Sequence, residues 1–169
     1  FGGKNEVYLF LPETFLQKDP CTLVTNPTGG TVKKNKTAKR PEFSGKRILL
    51  AEDNSMNQMV AVALIKKLGI TCETANDGKE AVDKFLASPA DYYDAILMDI
   101  QMPNMNGYEA TKVIRNSDHP DAKKIGIIAL SANAFNEDVA KSISMGMDDH
   151  VAKPIEINSL ISALENAFA

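Results

Sequence analysis

Five polar residues fall at the ends of short apolar runs. Glu52 and Asp53 follow Ile48-Leu49-Leu50-Ala51, Asp99 follows Ile96-Leu97-Met98, Ser131 follows Ala129-Leu130, and Lys153 follows Val151-Ala152. If one fold gathers them, three carboxylates meet a hydroxyl and an ammonium. Carboxylates that close repel one another and raise each other's pKa. A hard divalent cation and the Lys153 ammonium would both relieve this. Oxygen-only donors favour Mg²⁺, Mn²⁺ or Ca²⁺ over zinc. Asp99 would keep one oxygen as a nucleophile, and a carboxylate attacking phosphorus forms an acyl phosphate. The transferred group then needs its equatorial oxygens neutralised, by the cation, Lys153, the Ser131 hydroxyl and backbone N–H groups.

The elements that would bring these residues together are legible in the pattern. Short apolar runs at 47–51 and 125–130 suit buried strands, and 70–74, 94–98 and 150–152 are further short strand candidates. Between them, helical spacings predict helices over 55–68, 77–87, 108–115, 135–145 and 155–168. In the first, the expected inner face is Met56, Met59, Val60, Ala63, Leu64 and Leu68, with Gly69 as a C-terminal cap. Strand and helix therefore alternate five times. That order implies a parallel sheet covered on both faces, and right-handed crossovers restrict it to a doubly wound α/β topology. Ligands in such sheets bind at the carboxyl ends of the strands, where all five polar residues fall.

Residues 1–45 differ from the rest. The first 15 read as one strand with Pro12 after it, the tail of a preceding domain. Residues 16–45 read as a flexible basic linker, and 46–169 as the compact domain. Residues 1–45 carry a net charge of +3 and the remainder −6. An acidic domain argues against nucleic-acid binding by this region. No apolar run reaches the ~18 residues of a membrane span, so membrane contact by this region is not expected. Cys21 and Cys72 are too few for a disulfide scaffold, and a cytoplasmic, reduced protein is expected. The chain begins at Phe1 and reads as a piece of a longer protein.

Four blocks carry a family resemblance: Ile48-Leu49-Leu50-Ala51-Glu52-Asp53-Asn54, Leu97-Met98-Asp99-Ile100-Gln101-Met102-Pro103-Asn104-Met105-Asn106-Gly107, Ala129-Leu130-Ser131-Ala132 and Val151-Ala152-Lys153-Pro154. In this order they resemble the receiver domain of two-component response regulators. With Asn57-Gln58, they resemble the receivers found C-terminal in hybrid sensor histidine kinases. The resemblance implies a flavodoxin-like (βα)5 fold with strand order 2-1-3-4-5. It implies that Asp99 accepts a phosphoryl group from phosphohistidine. Glu52, Asp53, Asp99 and the backbone carbonyl of Gln101 would hold Mg²⁺, with Mn²⁺ the alternative. Lys153 would meet the phosphoryl group, Ser131 would swing toward it, and the Lys153-Pro154 bond would be cis. His150 stands where the family often has an aromatic switch residue. Gln101 and Asn133 would lie beside the acceptor. The implied partners are a histidine kinase or histidine phosphotransfer domain. A homodimer through the fourth helix, fifth strand and fifth helix is a further expectation. Such a receiver catalyses only its own phosphorylation and dephosphorylation, while its parent would be a hybrid kinase.

The residues also have plainer readings. Glu52-Asp53 alone is a helix N-terminal acid pair, Ser131 a cap, Lys153 a solvated surface lysine and His150 a partly exposed surface residue. Asp148-Asp149 reads as a solvated turn, and Cys72 as an inert thiol in a strand. Three other functions compete. An aspartyl phosphatase usually presents Asp-x-Asp after the first strand, which Glu52-Asp53 is not. A flavin-binding module would need a Ser/Thr/Gly-rich first loop. A binding platform would not need the complete acid set.

Overall fold

The computed structural model describes residues 43–132 and 136–169. The expectations for residues 1–15, for most of 16–45 and for Asn133 lie outside them. Ten elements alternate along the chain. They are β1 (Arg47–Ala51), α1 (Ser55–Lys67), β2 (Thr71–Ala75), α2 (Gly78–Ala87), β3 (Ala95–Asp99), α3 (Gly107–Arg115), β4 (Gly126–Ser131), α4 (Asn136–Ser144), β5 (Asp149–Ala152) and α5 (Ile157–Phe168). The five strands are parallel in the order β2-β1-β3-β4-β5. Chain order reverses at β1, so the two strands flanking the switch point are β1 and β3.

Both sheet faces are buried, which is why the central strands are apolar without alternation. Leu49, Ile96, Met98 and Ile127 pack on one side with Val82, Phe85 and Ile114 of α2 and α3. Ile48, Leu50, Leu97, Ile128 and Leu130 pack on the other with Ile65 of α1 and Leu160 and Leu164 of α5. Burial pushes the Cys72 thiol up to about 11, in keeping with an inert thiol. Asp148 is more than a solvated turn: it accepts from Arg115 Nη2 at 2.6 Å and from the Ile127 N–H at 2.8 Å.

The structure corrects the expected inner face of α1. Ala61, Ile65 and Leu68 face the sheet, whereas Met56, Met59 and Val60 are 68%, 69% and 50% exposed and Ala63 is exposed as well. The helix carries apolar residues on more than one side, so spacing alone could not choose the buried one. Small Ala61 joins the cluster that includes Ile48 and Leu50 of β1, and the larger methionines are left outward.

The β3–α3 loop is held at both ends. The Gly107 N–H donates to the Ile100 carbonyl at 3.0 Å, and the Met105 carbonyl accepts from the Gly78 N–H at 3.1 Å. Asn104, with φ 62°, donates through Nδ2 to Asp77 Oδ2 at 2.7 Å. A Cβ on Gly107 would lie 2.2 Å from the Asp99 carbonyl oxygen, a backbone atom that cannot retreat. Gly107→Ala is therefore expected to destabilise the domain by about 2 kcal/mol through overpacking. Urea unfolding monitored by circular dichroism measures this.

Candidate functional site

Three of the four strand pairings bring the polar residues to the same rim. Ala51 lies in register with Met98, which brings Glu52 and Asp53 beside Asp99. Asp99 pairs with Leu130, so Ser131 comes one step further on, and Ser131 pairs with Ala152, just before Lys153. The Lys153 N–H donates to the Ser131 carbonyl at 2.7 Å, which anchors the start of the last loop. The Lys153-Pro154 bond is cis, as the resemblance implied.

The resulting cluster is compact. Glu52, Asp53 and Asp99 each offer a carboxylate oxygen, and these oxygens lie within 4.8 Å of one another. Glu52 is 1% and Asp99 5% exposed, while Asp53 is open to solvent. The Lys153 ammonium sits between the two buried acids, 2.6 Å from Asp99 Oδ2 and 2.5 Å from Glu52 Oε2. Asp99 Oδ1 accepts from the Gln101 N–H at 3.2 Å, and the Gln101 side chain is exposed. Burial pushes the Asp99 carboxyl above the ordinary aspartate range despite its bond to Lys153, and the Glu52 charge adds to the push. Burial works against the Lys153 charge. The bonds to Asp99 and Glu52 outweigh it and hold the ammonium above its usual pKa.

Three carboxylates with one of them exposed make an oxygen-only donor set open to solvent on one side. That chemistry fits a hard cation such as Mg²⁺, which keeps several waters and takes few protein carboxylates. Ser131 and His150 stand beside this cluster. Ser131 Oγ and His150 Nε2 share a hydrogen bond of 2.9 Å, so the histidine engages the serine directly. Sequence reasoning assigned no role to Asn57 or Gln58. Asn57 Nδ2 donates to Glu52 Oε1 at 3.0 Å and Gln58 Nε2 to the Glu52 carbonyl at 3.1 Å. The signal available was positional: both are amides in the first turn of a helix that starts at the site.

Comparison with known proteins agrees with this geometry. The sequence profile of the response regulator receiver domain matches residues 48–165. A probable histidine kinase from Oryza sativa subsp. indica is 38% identical over 140 residues, which is 76% of this chain and 13% of that protein. A hybrid signal transduction histidine kinase from Dictyostelium discoideum is 44% identical over 111 residues, 64% of this chain and 6% of that protein. The chain thus spans a small fraction of these curated relatives. Among solved structures, the receiver domain of a sensor histidine kinase from Pseudomonas aeruginosa has a TM-score of 0.65 at 38% identity. The match covers 74% of this chain and 98% of that one. It carries a magnesium ion coordinated in its active-site cleft. The receiver domain of a response regulator from Saccharomyces cerevisiae, crystallised with its histidine phosphotransfer protein, has a TM-score of 0.60 at 28% identity. That match covers 72% of this chain and 86% of that one.

Removing the resident ammonium should expose the repulsion it offsets. Because the Lys153 pKa is raised in the fold, its contribution is present in full below about pH 10 and is lost only as pH rises through the folded value. Lys153→Met is expected to cost about 3 kcal/mol at pH 7 in EDTA, since two buried carboxylates lose their counter-charge. The gap to wild type should narrow toward acid, where the carboxylates protonate, and also on adding millimolar Mg²⁺. Thermal melts across pH, with and without the cation, check both trends.

Proposed function

The chain belongs to the response regulator receiver family of two-component signalling, and we propose that Asp99 is its phosphoacceptor. The observation that carries this reading is the Asp99 carboxylate at the rim, almost buried, within one acid cluster and bonded to Lys153. One Asp99 carboxylate oxygen attacks the phosphorus of a phosphohistidine. The O–P bond forms as the P–N bond breaks, and the electron pair returns to the imidazole nitrogen, which takes up a proton. Glu52, Asp53, Asp99 and the Gln101 carbonyl are the residues that would hold Mg²⁺, which when bound neutralises charge on the phosphoryl oxygens. The chain's own contribution is positional. Buried Asp99 is poorly hydrated and held by the Gln101 N–H, and Lys153 stands ready to pair with the incoming group.

The added charge then biases the switch. A phosphoryl group on Asp99 offers acceptor oxygens to the Ser131 hydroxyl, which in this state is bonded to His150. Drawing Ser131 away breaks that hydrogen bond, and the two arrangements form a pair of populations that phosphorylation shifts. His150 takes the aromatic residue's place as the second half of that switch.

The phosphodonor would be a histidine kinase or histidine phosphotransfer domain acting in the cytoplasm. The unexpected exposure of Met56, Met59 and Val60 gives such a partner a landing surface. That surface continues into a cleft of about 420 Å³ lined by Asn57, Val60, Ala132, Lys153, Pro154 and Ile155. An apolar patch of this kind beside the acceptor suits a helix that carries the histidine to it. The Saccharomyces complex, in which a receiver is bound to a phosphotransfer protein, supports this choice of partner.

Incubation with acetyl phosphate and Mg²⁺ is expected to add one phosphoryl group by intact mass spectrometry, and Asp99→Asn to add none. Labelling of the Asn variant at the same rate would defeat the proposal. Met56→Glu with Met59→Glu should slow transfer from a phosphohistidine protein about tenfold. The loss should appear with the protein donor and not with acetyl phosphate.

A further inference from the structure

Glu52 is a buried carboxylate held from two sides. Oε2 contacts Lys153 at 2.5 Å, while Oε1 accepts from Asn57 Nδ2 at 3.0 Å and, more weakly, from the Asn54 N–H at 3.4 Å. Lys153 is a divided anchor, because the same ammonium also contacts Asp99 and is the group placed to meet a phosphoryl oxygen. Whenever Lys153 turns to another partner, Asn57 is the strong hydrogen bond that still orients Glu52. Asn57 is not needed to cap its helix. It is exposed, and the α1 start is capped by the Asn54 side chain, which accepts from the Met56 and Asn57 backbone N–H groups. Its amide is also neutral. It fixes the carboxylate without cancelling the negative charge that a cation needs, whereas a lysine or arginine there would do both.

We propose that Asn57 is a positioning residue for the metal site, holding Glu52 Oε1 so that the carboxylate stays turned toward Asp53 and Asp99. The inference rests on the reading of that cluster as a Mg²⁺ site. Partners that orient metal-site carboxylates are worth about 10- to 100-fold in metal affinity. Because Asn57 acts through Glu52, its effect must vanish when Glu52 can no longer serve as a charged ligand.

The test is calorimetric titration of Mg²⁺ into the whole chain, without any phosphodonor, for wild type, Asn57→Ala, Glu52→Gln and the double variant. Asn57→Ala is expected to bind Mg²⁺ about tenfold more weakly. Its metal-free melting temperature should stay close to wild type, because the residue is exposed. Asn57→Leu, which keeps bulk and loses the donor, should show the same loss. In the Glu52→Gln background Asn57→Ala should add nothing further, the non-additivity of two residues in one network. Wild-type affinity in Asn57→Ala, or losses that add in the double variant, would overturn the inference alone. A wild type that binds no Mg²⁺ would overturn the metal-site reading and this inference with it.

Discussion

Like-charge crowding governs this domain. Glu52 and Asp99 are almost dry, Asp53 stands at their edge, and their oxygens lie within 4.8 Å. Ionised carboxylates in that arrangement are tolerable only with a cation among them. Lys153 is that cation in this state, bonded to both buried acids. The crowding also supports the proposed chemistry. A carboxylate kept from water, with its pKa lifted by burial, is a better nucleophile than one on an open surface, and a site short of positive charge attracts a divalent ion.

The sheet exists to hold that tension. The acids and Lys153 come from the ends of β1, β3 and β5, so backbone hydrogen bonds across the strands fix their separation. The loop beyond Asp99 cannot drift, because Gly107 returns to Ile100 and Gly78 and Asp77 grip Met105 and Asn104. Asn57 and Gln58 reach back from α1 to Glu52. Side chains that would repel one another in a flexible peptide are thus kept together by apolar clusters on both faces of the sheet.

Reactivity and recognition meet on one side of the molecule. The apolar surface of α1 runs into the cleft that Lys153 lines, so a partner of the proposed kind seated on Val60 and Ile155 would lie beside the acid cluster. On another side of the acceptor, Ser131 is tied to His150 on β5. On the proposed reading, the arrival of a phosphoryl group and its consequence would involve different neighbours of the same carboxylate, so a donor could leave without disturbing the Ser131–His150 pair.

Much of this was legible in the residues alone. Alternating short apolar runs and helical spacings announced β-α repeats, because a strand buried on both faces must be apolar throughout. Glu52, Asp53, Asp99, Ser131 and Lys153 were legible as a set, because each ends such a run and parallel strands bring those ends to one rim. Helix limits moved by a residue or two where caps decided them, as when Asp77 proved to lie outside α2 and to accept from the Glu80 N–H. Three matters belonged to the tertiary structure. The buried side of α1 could not be read from a helix with apolar residues on more than one side; packing against the sheet buries Ala61 and leaves Met59 exposed. The pairing of Ser131 with His150 depended on β4 and β5 lying in register. Asn57 gained its partner only when the first turn of α1 came to rest above Glu52. The linear chain determines which groups are present and which strands carry them. Contacts between side chains on separate elements depend on how those elements pack, and that is settled by shape and volume across the whole core.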